Sequence, residues 1–334
     1  MPWSDTKDPY KIWISEIILQ QTRVAQGWSY YERFIDRFPD LNTLYSGGES
    51  EVIRLWEGLG YYSRARNLYR CAVEITEKHN GKFPSNYHSL IALPGIGPYT
   101  AAAIASFAFE VPVAVVDGNV IRFISRLLAI ENPHNDKVSQ NQIREYVSLA
   151  IQHGKASSFN QAIMNMGALI CKPQSPVCTK CPFDKHCLAF QKNKVDSIPG
   201  KKMKPEKTRR HFHYLILEDP KAEEVLIQRR HQNDIWNRLY EFPLIETKNP
   251  DVKQVQSFYK TLTRGKGILP EAFRTSKQQL THQEIHFYFY HHPIEKETLN
   301  SSEGMFWAKK ESLSEFPMPV TLKKIAKDFI THQR

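Results

Sequence analysis

The chain has 334 residues, more than one compact core usually holds, so we expect two domains. Lysine and arginine outnumber aspartate and glutamate by 45 to 35, and the resulting net charge of +10 favours nucleic acid or an anionic membrane surface as partner. A hydrophobic content of 41% excludes a wholly disordered or collagen-like chain, and no apolar run reaches the roughly 18 residues of a spanning helix.

The first half of the sequence predicts an all-helical region. From residue 10 to about residue 169, apolar residues recur at intervals of three and four, for example at Ile14, Ile17 and Ile18. Turn-forming sequences with glycine, proline or aspartate interrupt this pattern several times. We therefore predict an N-terminal all-α domain over residues 1–191.

The second half has a different periodicity. A basic stretch with two prolines predicts a linker at residues 192–210. Beyond it, β-rich runs at 211–218, 224–229 and 285–290 alternate with helical stretches, and a last helix is predicted at 321–330. Residues 211–334 therefore predict an α+β domain.

Four of the five cysteines lie close together, at Cys171, Cys178, Cys181 and Cys187. In a reducing compartment such clustering indicates a metal or iron–sulfur site. Four thiolates suit tetrahedral zinc or a [4Fe-4S] cluster, and the uneven C-x6-C-x2-C-x5-C spacing around one short loop favours the cluster. We expect the fifth cysteine, Cys71, to be a small buried apolar side chain.

Gly95 and Gly97 lie in the turn between two predicted helices, the second of which is rich in alanine. Two glycines permit a tight turn whose backbone N–H groups, at the start of the second helix, point outward and suit a phosphate. Viewed alone, the segment fits an ordinary turn between helices equally well.

Two carboxylates have environments that suit catalysis. Glu16 lies in a nearly unbroken apolar helix, where desolvation would raise its pKa and let it hold a proton near neutral pH. Asp117 follows the apolar run 113–116 and precedes an amphipathic helix, which is the position of an N-cap. Each residue alone also fits a structural role, as the rim of a core helix or as a cap. Together they fit the unequal carboxylate pair of an acid-catalysed glycosidic cleavage.

The helix-hairpin-helix at residues 93–105, Asp117 and the cysteine spacing together resemble the endonuclease III superfamily of DNA glycosylases. Within it, the sequences SEIILQQT at 15–22, GLGYYSRARN at 58–67 and VDGNV at 116–120 are similar to the MutY-type adenine DNA glycosylases. The resemblance runs from Pro2 to Cys187 and continues more loosely through the C-terminal half.

This resemblance implies an all-α helix-hairpin-helix glycosylase domain with a [4Fe-4S] cluster loop at residues 171–187. It implies an enzyme that flips adenine out of a mispair with 8-oxoguanine, or less readily with guanine, and hydrolyses its glycosidic bond. Glu16 would protonate the adenine, Asp117 would stabilise the oxocarbenium-like sugar, and Asn119 would help to orient the site. Gln21 and Tyr61 would wedge into the duplex.

Tyr99 occupies the hairpin position that carries a lysine in bifunctional relatives. A lysine amine forms a Schiff base with the sugar and cleaves the strand, and tyrosine has no such amine. We therefore expect a monofunctional glycosylase without efficient AP lyase activity. Thymine-releasing relatives also lack the lysine, so a glycosylase for another base, such as thymine opposite guanine, stays an alternative. A non-catalytic module that binds lesions in DNA is the other alternative.

The C-terminal half resembles the Nudix-like domain by which MutY-type enzymes sense the base opposite adenine. The sequence IWNRLYEFP at 235–243 carries this resemblance, whereas the acidic signature of Nudix diphosphatases is missing, so we expect no pyrophosphate hydrolysis. Leu280, Thr281 and His282 occupy the positions where the family usually has Phe-Ser-His. The hydroxyl and the imidazole would contact 8-oxoguanine, but a leucine cannot stack as phenylalanine would.

The expected partner is double-stranded DNA that contains A:8-oxoguanine or A:G mispairs, without a membrane. No secretory signal is visible at the start of the sequence. We therefore expect a monomer in a bacterial cytoplasm, with the nucleoid, and a nuclear location also fits the sequence.

Overall fold

The computed structural model describes residues 6–22, 24–153, 155–200, 207–232, 234–265, 267–299 and 304–331. The chain divides into two compact units, one of residues 1–55 and 63–203 and the other of residues 56–62 and 204–334. The middle of the predicted linker, residues 201–206, lies outside the described residues. No helix in the part of the chain that the structure describes is long and apolar enough to cross a membrane.

The first unit is helical, which confirms the predicted fold class. Its helices are α1 (Pro9–Leu19), α2 (Val24–Arg37), α3 (Leu41–Leu55), α4 (Ser63–Lys78), α5 (Tyr87–Ile91), α6 (Pro98–Phe109), α7 (Gly118–Leu128), α8 (Lys137–Ala150), α9 (Ala156–Asn165) and α10 (Leu188–Gln191). A π-helical turn, Met166–Ile170, follows α9 and leads into the cysteine loop.

Local sequence explains where the helices that carry the site begin. Asp8 caps α1 by accepting a hydrogen bond from the backbone N–H of Tyr10, and Pro9 at the first helical position preorganises the backbone. Gly97 and Asp117 stand at the N-caps of α6 and α7. These caps fix the start of each helix and therefore the direction of the side chains in its first turn.

Small side chains allow the central helices of the first unit to pack closely. Ala101, Ala103 and Ala105 of α6 are fully buried. The core that α6 forms with α7 and α9 also contains Val120 and Met164. Cys71, on α4, is buried as a small apolar side chain, as predicted.

The second unit is built on one mixed sheet, which confirms the predicted α+β class. Its strands are β1 (Thr208–Asp219), β2 (Glu224–Arg229), β3 (Tyr240–Glu241), β4 (Leu244–Thr247), β5 (Arg274–Gln279), β6 (Gln283–Pro293) and β7 (Met305–Lys309). The main path runs β3-β2-β1-β6-β5, with β4 paired to β1 and β7 paired to β2. The central β1–β6 pair is parallel, and the others are antiparallel.

Two helices cover this sheet, α11 (Val252–Leu262) and α12 (Val320–Thr331). Alternation along β1 divides its side chains between two cores. Phe212 packs into the core that contains Leu322 of α12, whereas Leu215 packs into the core that contains Tyr259 of α11. Helices on both faces hold the β5–β6 hairpin on a rigid base.

Strand β1 begins at Thr208, three residues before the start predicted at 211. The sequence of residues 208–210 is Thr-Arg-Arg, which has no apolar alternation and looks like part of the basic linker. The parallel pairing with β6, from Thr208 opposite Gln283 onward, extends the strand. Tertiary pairing therefore overrides the local pattern here.

Candidate active site

Glu16 is a buried carboxylate on α1, with 5% of its surface exposed. Burial raises the pKa of Glu16 to about 7; a hydrogen bond from Tyr99 opposes this rise, and the charge of Asp117 adds to it. The apolar helix thus keeps one carboxyl group half-protonated at neutral pH, as the sequence predicted.

Tyr99, in the first turn of α6, connects the two carboxylates electrostatically. Burial, followed by the charges of Glu16 and Asp117, raises the pKa of Tyr99 well above its ordinary value. Its phenol therefore stays protonated and donates a hydrogen bond to the Glu16 carboxylate.

Asp117 is held by its own loop. Its Oδ1 accepts a hydrogen bond from the backbone N–H of Val120 at 2.7 Å, and its Oδ2 accepts one from Nδ2 of Asn119 at 2.8 Å. The bond from Val120 lies at the N-terminus of α7, where the helix dipole favours negative charge. The carboxylate is therefore held in one orientation.

The extended segment before Asp117 is held by Asn160, which is fully buried on α9. Its Oδ1 accepts a hydrogen bond from the backbone N–H of Val115 at 3.0 Å, and its Nδ2 donates to the carbonyl of Val113 at 2.9 Å. Its Nδ2 also donates to Oγ of Ser106 at 2.7 Å, so both amide hydrogens and the amide oxygen are hydrogen-bonded. Asn160 thus replaces the strand partner that the segment 113–116 lacks.

Arg64 of α4 holds the C-terminal end of α1. Its Nη1 donates to the carbonyls of Ile17, Ile18 and Gln20 at 2.9, 3.2 and 2.6 Å. These carbonyls have no partner within the helix, and a cation at this end is favourable. The helix that carries Glu16 is therefore fixed at both ends.

The two hairpin glycines differ in what requires them. Gly95 has φ +74, and a Cβ there would lie 2.5 Å from the Cβ of Asn67, so the fold itself demands glycine. Gly97 has an ordinary φ of −88, and a Cβ there would meet nothing within 4 Å. The bare backbone at Gly97 therefore faces open space at the N-terminus of α6.

Both predicted wedge residues have a left-handed backbone. The φ angle is 58° at Gln21 and 49° at Tyr61, a region that non-glycine residues rarely adopt. Tyr61 keeps 47% of its side chain exposed. Within the second unit, to which residues 56–62 belong, its hydroxyl lies 2.5 Å from Oγ1 of Thr281.

Thr281 and His282 form the exposed tip of the β5–β6 hairpin, which the backbone hydrogen bond from Leu280 N–H to the carbonyl of Gln283 closes at 2.8 Å. Leu280 is half-buried and packs against the core that contains Phe287. The leucine is therefore an anchor for the hairpin, while the two polar side chains project from it.

The four clustered cysteines line one cavity, which Arg126 and Phe123 also line. Burial, followed by the neighbouring cysteines, raises the pKa of Cys178, so the thiols lie within electrostatic range of one another. In the described ranges, no group of three or more candidate ligands is arranged to hold a metal ion.

Hydrogen bonds lead from the Asp117 loop to the cysteine loop. Nη2 of Arg122 donates to Oδ1 of Asn119 at 2.9 Å and to the carbonyl of Gly167 at 2.6 Å, while its Nε donates to the carbonyl of Cys171 at 2.7 Å. A Cβ at Gly167 would lie 2.4 Å from the carbonyl oxygen of Asn119, so this approach requires glycine.

Glu16, Tyr99 and Asp117 thus lie within electrostatic range of one another, and the structure adds supporting residues that the sequence analysis missed. Arg122 and Arg126 carried a signal, since they are cations four residues apart in a helix whose other residues are mostly apolar. Asn160 carried none, because one asparagine in an amphipathic helix looks like any other.

Two family models match the chain. Residues 14–148 match the HhH-GPD superfamily of base excision DNA repair proteins, and residues 213–328 match the NUDIX domain. A solved structure of a thermostable thymine-DNA glycosylase is similar, with a TM-score of 0.53 and 31% identity over 57% of this chain and 88% of that one.

Curated relatives extend the similarity to both units. The chain is 38% identical over 259 residues to the adenine DNA glycosylase of Buchnera aphidicola subsp. Baizongia pistaciae, covering 77% of this chain and 72% of that protein. It is 31% identical over 335 residues to that of Buchnera aphidicola subsp. Schizaphis graminum, covering 98% and 94%. The human adenine DNA glycosylase is 41% identical over 191 residues, covering 57% and 35%. The chain therefore belongs to the family of adenine DNA glycosylases.

Proposed function

We propose that this DNA glycosylase excises adenine from mispairs with 8-oxoguanine or guanine and leaves an intact strand with an abasic site. The observation that carries this proposal is the pair of unlike carboxylates, in which buried Glu16 has a pKa of about 7 and Asp117 is held by two hydrogen bonds. A family that removes an undamaged base needs such a pair, because adenine is a poor leaving group until it is protonated.

In the first step, Glu16 in its protonated form donates a proton to N7 of the flipped adenine. The N-glycosidic bond then breaks, and its electron pair leaves with the base, so that adenine departs neutral. The flipped base would replace the water around Glu16, which keeps the local dielectric low and the proton transfer favourable.

In the second step, the sugar carries the positive charge, and the Asp117 carboxylate stabilises it, either as an ion or as a short-lived covalent adduct. Asn119 keeps Oδ2 of Asp117 in place through the bond of 2.8 Å. Glu16, now ionised, accepts a proton from the attacking water. The acid thereby regains the proton that it gave to the base.

The contacts with DNA are distributed over both units. The open backbone at Gly97 and the N-terminus of α6 suit a phosphate oxygen, because no side chain blocks the approach. Gln21 and Tyr61 would fill the space that the flipped base vacates. Thr281 and His282, exposed at the tip of the β5–β6 hairpin, would read the edge of the opposite base.

Tyr99 supports a monofunctional reaction. It stands where a strand-cleaving relative has its lysine, and its hydroxyl is engaged with Glu16. A phenol cannot form the Schiff base on which strand cleavage depends. The expected product is therefore an abasic site that breaks only after alkali.

The cysteine loop suits a [4Fe-4S] cluster held by Cys171, Cys178, Cys181 and Cys187. The four cysteines line one cavity, and their uneven spacing around one short loop favours a multi-iron group over a single zinc ion. When bound, the cluster supplies four iron–thiolate bonds that fix the loop and a net negative charge beside α7.

Single-turnover base release tests the proposal. Short duplexes with A opposite 8-oxoguanine, A opposite G and T opposite G are compared, each with and without alkali. We expect release of adenine, fastest opposite 8-oxoguanine, with strand breaks only after alkali. Release of thymine alone, as for the similar thymine-DNA glycosylase, would reassign the excised base, and binding without release would indicate a lesion-binding module.

A matched pair of variants assigns the chemistry to Asp117. Asp117→Asn and Asp136→Asn each replace a capping carboxylate with an amide whose oxygen can still cap the helix, as Asp136 does by accepting from the N–H of Ser139 at 2.9 Å at the start of α8. Only Asp117→Asn also removes the proposed stabilising charge. We expect loss of excision in the first variant and wild-type excision in the second. Equal activity in both would remove Asp117 from the mechanism.

A further inference from the structure

Arg126 is a buried cation on α7, with only 2% of its surface exposed. Its hydrogen bonds go to carbonyl oxygens and to one sulfur, and none of those in the part of the chain described here goes to a carboxylate. Removing a guanidinium from water is energetically costly unless an anion compensates its charge. Buried charges are therefore paired or lie beside metal centres.

The contacts of Arg126 lead to the cysteine loop. Its Nη1 lies 3.4 Å from Sγ of Cys171 and donates to the carbonyl of Lys172 at 2.8 Å, while its Nη2 donates to the carbonyl of Pro173 at 3.3 Å. The backbone carbonyl of Arg126 in turn lies 3.4 Å from Sγ of Cys187. One residue thus touches the first and the last cysteine of the set.

We propose that Arg126 is the counter-charge of the group held by the four cysteines, and that it raises the reduction potential of that group as well as positioning the loop. The inference rests on the proposed [4Fe-4S] cluster, which with four thiolates is anionic. A cation at a cysteine sulfur stabilises the more negative, reduced form more than the oxidised form. Loss of this charge therefore lowers the midpoint potential and makes the cluster easier to oxidise.

Arg122 lies one turn earlier on α7, and its charge also acts on Cys171. Its hydrogen bonds differ from those of Arg126, because among the described residues they go to Asn119 and to the carbonyls of Gly167 and Cys171 and not to a cysteine sulfur. Arg126 also donates to the carbonyl of Ile198 at 2.9 Å through Nε, so the segment after the loop is held by the same side chain.

The test compares Arg126→Met, which keeps much of the volume and loses the charge, with Arg126→Lys, which keeps the charge and loses the planar donor set. Leu127→Ala is the packing control, because Leu127 is buried on the same helix and carries no charge. Iron and sulfide content and visible absorption are measured for each purified holoprotein. The midpoint potential is then determined by titration with hexacyanoferrate(III), which takes one electron from the cluster and becomes hexacyanoferrate(II). The oxidised cluster is followed by electron paramagnetic resonance.

At a fixed solution potential, we expect Arg126→Met to raise the ratio of oxidised to reduced cluster about tenfold. This corresponds to a decrease of about 59 mV in the midpoint potential of a one-electron couple. Arg126→Lys should have a midpoint potential close to that of the wild type. Leu127→Ala should lower thermal stability and leave the midpoint potential unchanged. If Arg126→Met does not fold, Arg126→Gln takes its place with the same expectation.

The outcomes separate the inference from the proposals on which it depends. Equal potentials in wild type and in Arg126→Met, with clusters fully loaded, would overturn the role of Arg126 alone. A shift of equal size in Leu127→Ala would also overturn it, since packing would then be sufficient. A wild-type protein that contains zinc would overturn the cluster and this inference together, while adenine release by that protein would leave the glycosylase assignment standing.

Discussion

The two ends of the proposed reaction are built in opposite ways. In the first unit, Glu16 is buried and Asp117 is bonded to its own loop, so the proposed catalytic groups are held in place before any substrate binds. In the second unit, Thr281 and His282 lie exposed at the tip of a hairpin, where the Thr281 hydroxyl contacts that of Tyr61. Under the proposed function, the chemistry depends on desolvation, whereas recognition depends on exposed groups on a rigid base.

The difference also appears in what supports each set. Arg64 holds the end of the helix that carries Glu16, and Asn160 holds the segment before Asp117, in both cases by donating to backbone carbonyls. The hairpin is supported by core packing of Leu280 and by a sheet with helices on both faces. Substitutions in the first set should therefore change pKa values and rates, and those in the second should change discrimination between bases.

The largest effect is expected for Glu16→Gln, which removes the buried carboxyl group of the first unit. Loss of the proton donor should slow single-turnover excision by about 1,000-fold or more. The fold should gain stability, because burial raises the pKa of Glu16 from 4.5 to about 7 and the folded state therefore binds a proton that the unfolded state releases.

The size of that gain in stability depends on pH. The stability of the wild type falls as the pH rises from about 4.5 to about 7 and stays low above this range, so the variant should be more stable at pH 8 by about 3 kcal/mol. Urea unfolding at pH 5 and pH 8 measures this difference. Glu145→Gln, at an exposed position, is the control. A variant that is less stable than wild type at pH 8 would contradict the assignment.

The next largest effects are expected at the two hairpin glycines, on the stability of the fold at Gly95 and on the affinity for DNA at Gly97. Gly95→Ala should destabilise the fold by about 2 kcal/mol, because φ is +74 and the new Cβ would collide with Asn67. Gly97→Ala should leave the unfolding midpoint unchanged and weaken DNA binding about tenfold, since it blocks one charge-assisted bond to a phosphate. Equal loss of stability in both variants would show that Gly97 serves the fold.

Tyr99→Phe should move the pH dependence of excision by about one unit. The hydrogen bond from Tyr99 lowers the pKa of Glu16, so its loss raises that pKa and keeps the acid protonated to higher pH. The alkaline limit of single-turnover excision should therefore shift upward. Tyr87→Phe, which packs against the same core, should leave the limit in place. A downward shift would mean that Tyr99 does not donate to Glu16.

The smallest effect is expected at the exposed tip of the β5–β6 hairpin. Thr281→Val keeps the shape and removes the hydroxyl, so the preference for 8-oxoguanine over guanine should fall about fivefold, the value of one hydrogen bond. Excision of adenine opposite guanine should change little. Thr275→Val, also exposed and on β5, is the matched control. Equal discrimination in both variants would place the reading of the opposite base elsewhere.

The sequence predicts the parts of this molecule that local chemistry determines. The apolar context of Glu16, the capping position of Asp117 and the helical periodicity of the first unit were all visible in it. Long-range contacts were not visible. The extension of β1 back to Thr208 depends on its pairing with β6. The hydrogen bond from the Val115 N–H to Asn160 joins residues 45 positions apart. Neither signal is present in a short stretch of sequence.

The left-handed backbone at Gln21 and Tyr61 has a consequence for how this protein can evolve. With φ at 58° and 49°, each position admits glycine, asparagine and aspartate most easily and opposes valine, isoleucine and threonine. Any residue that replaces one of them must adopt this left-handed backbone and must also perform the proposed role in the DNA duplex. Two separate requirements therefore restrict which residues are accepted at these positions. β-branched residues should be the rarest among functional variants recovered from a random library.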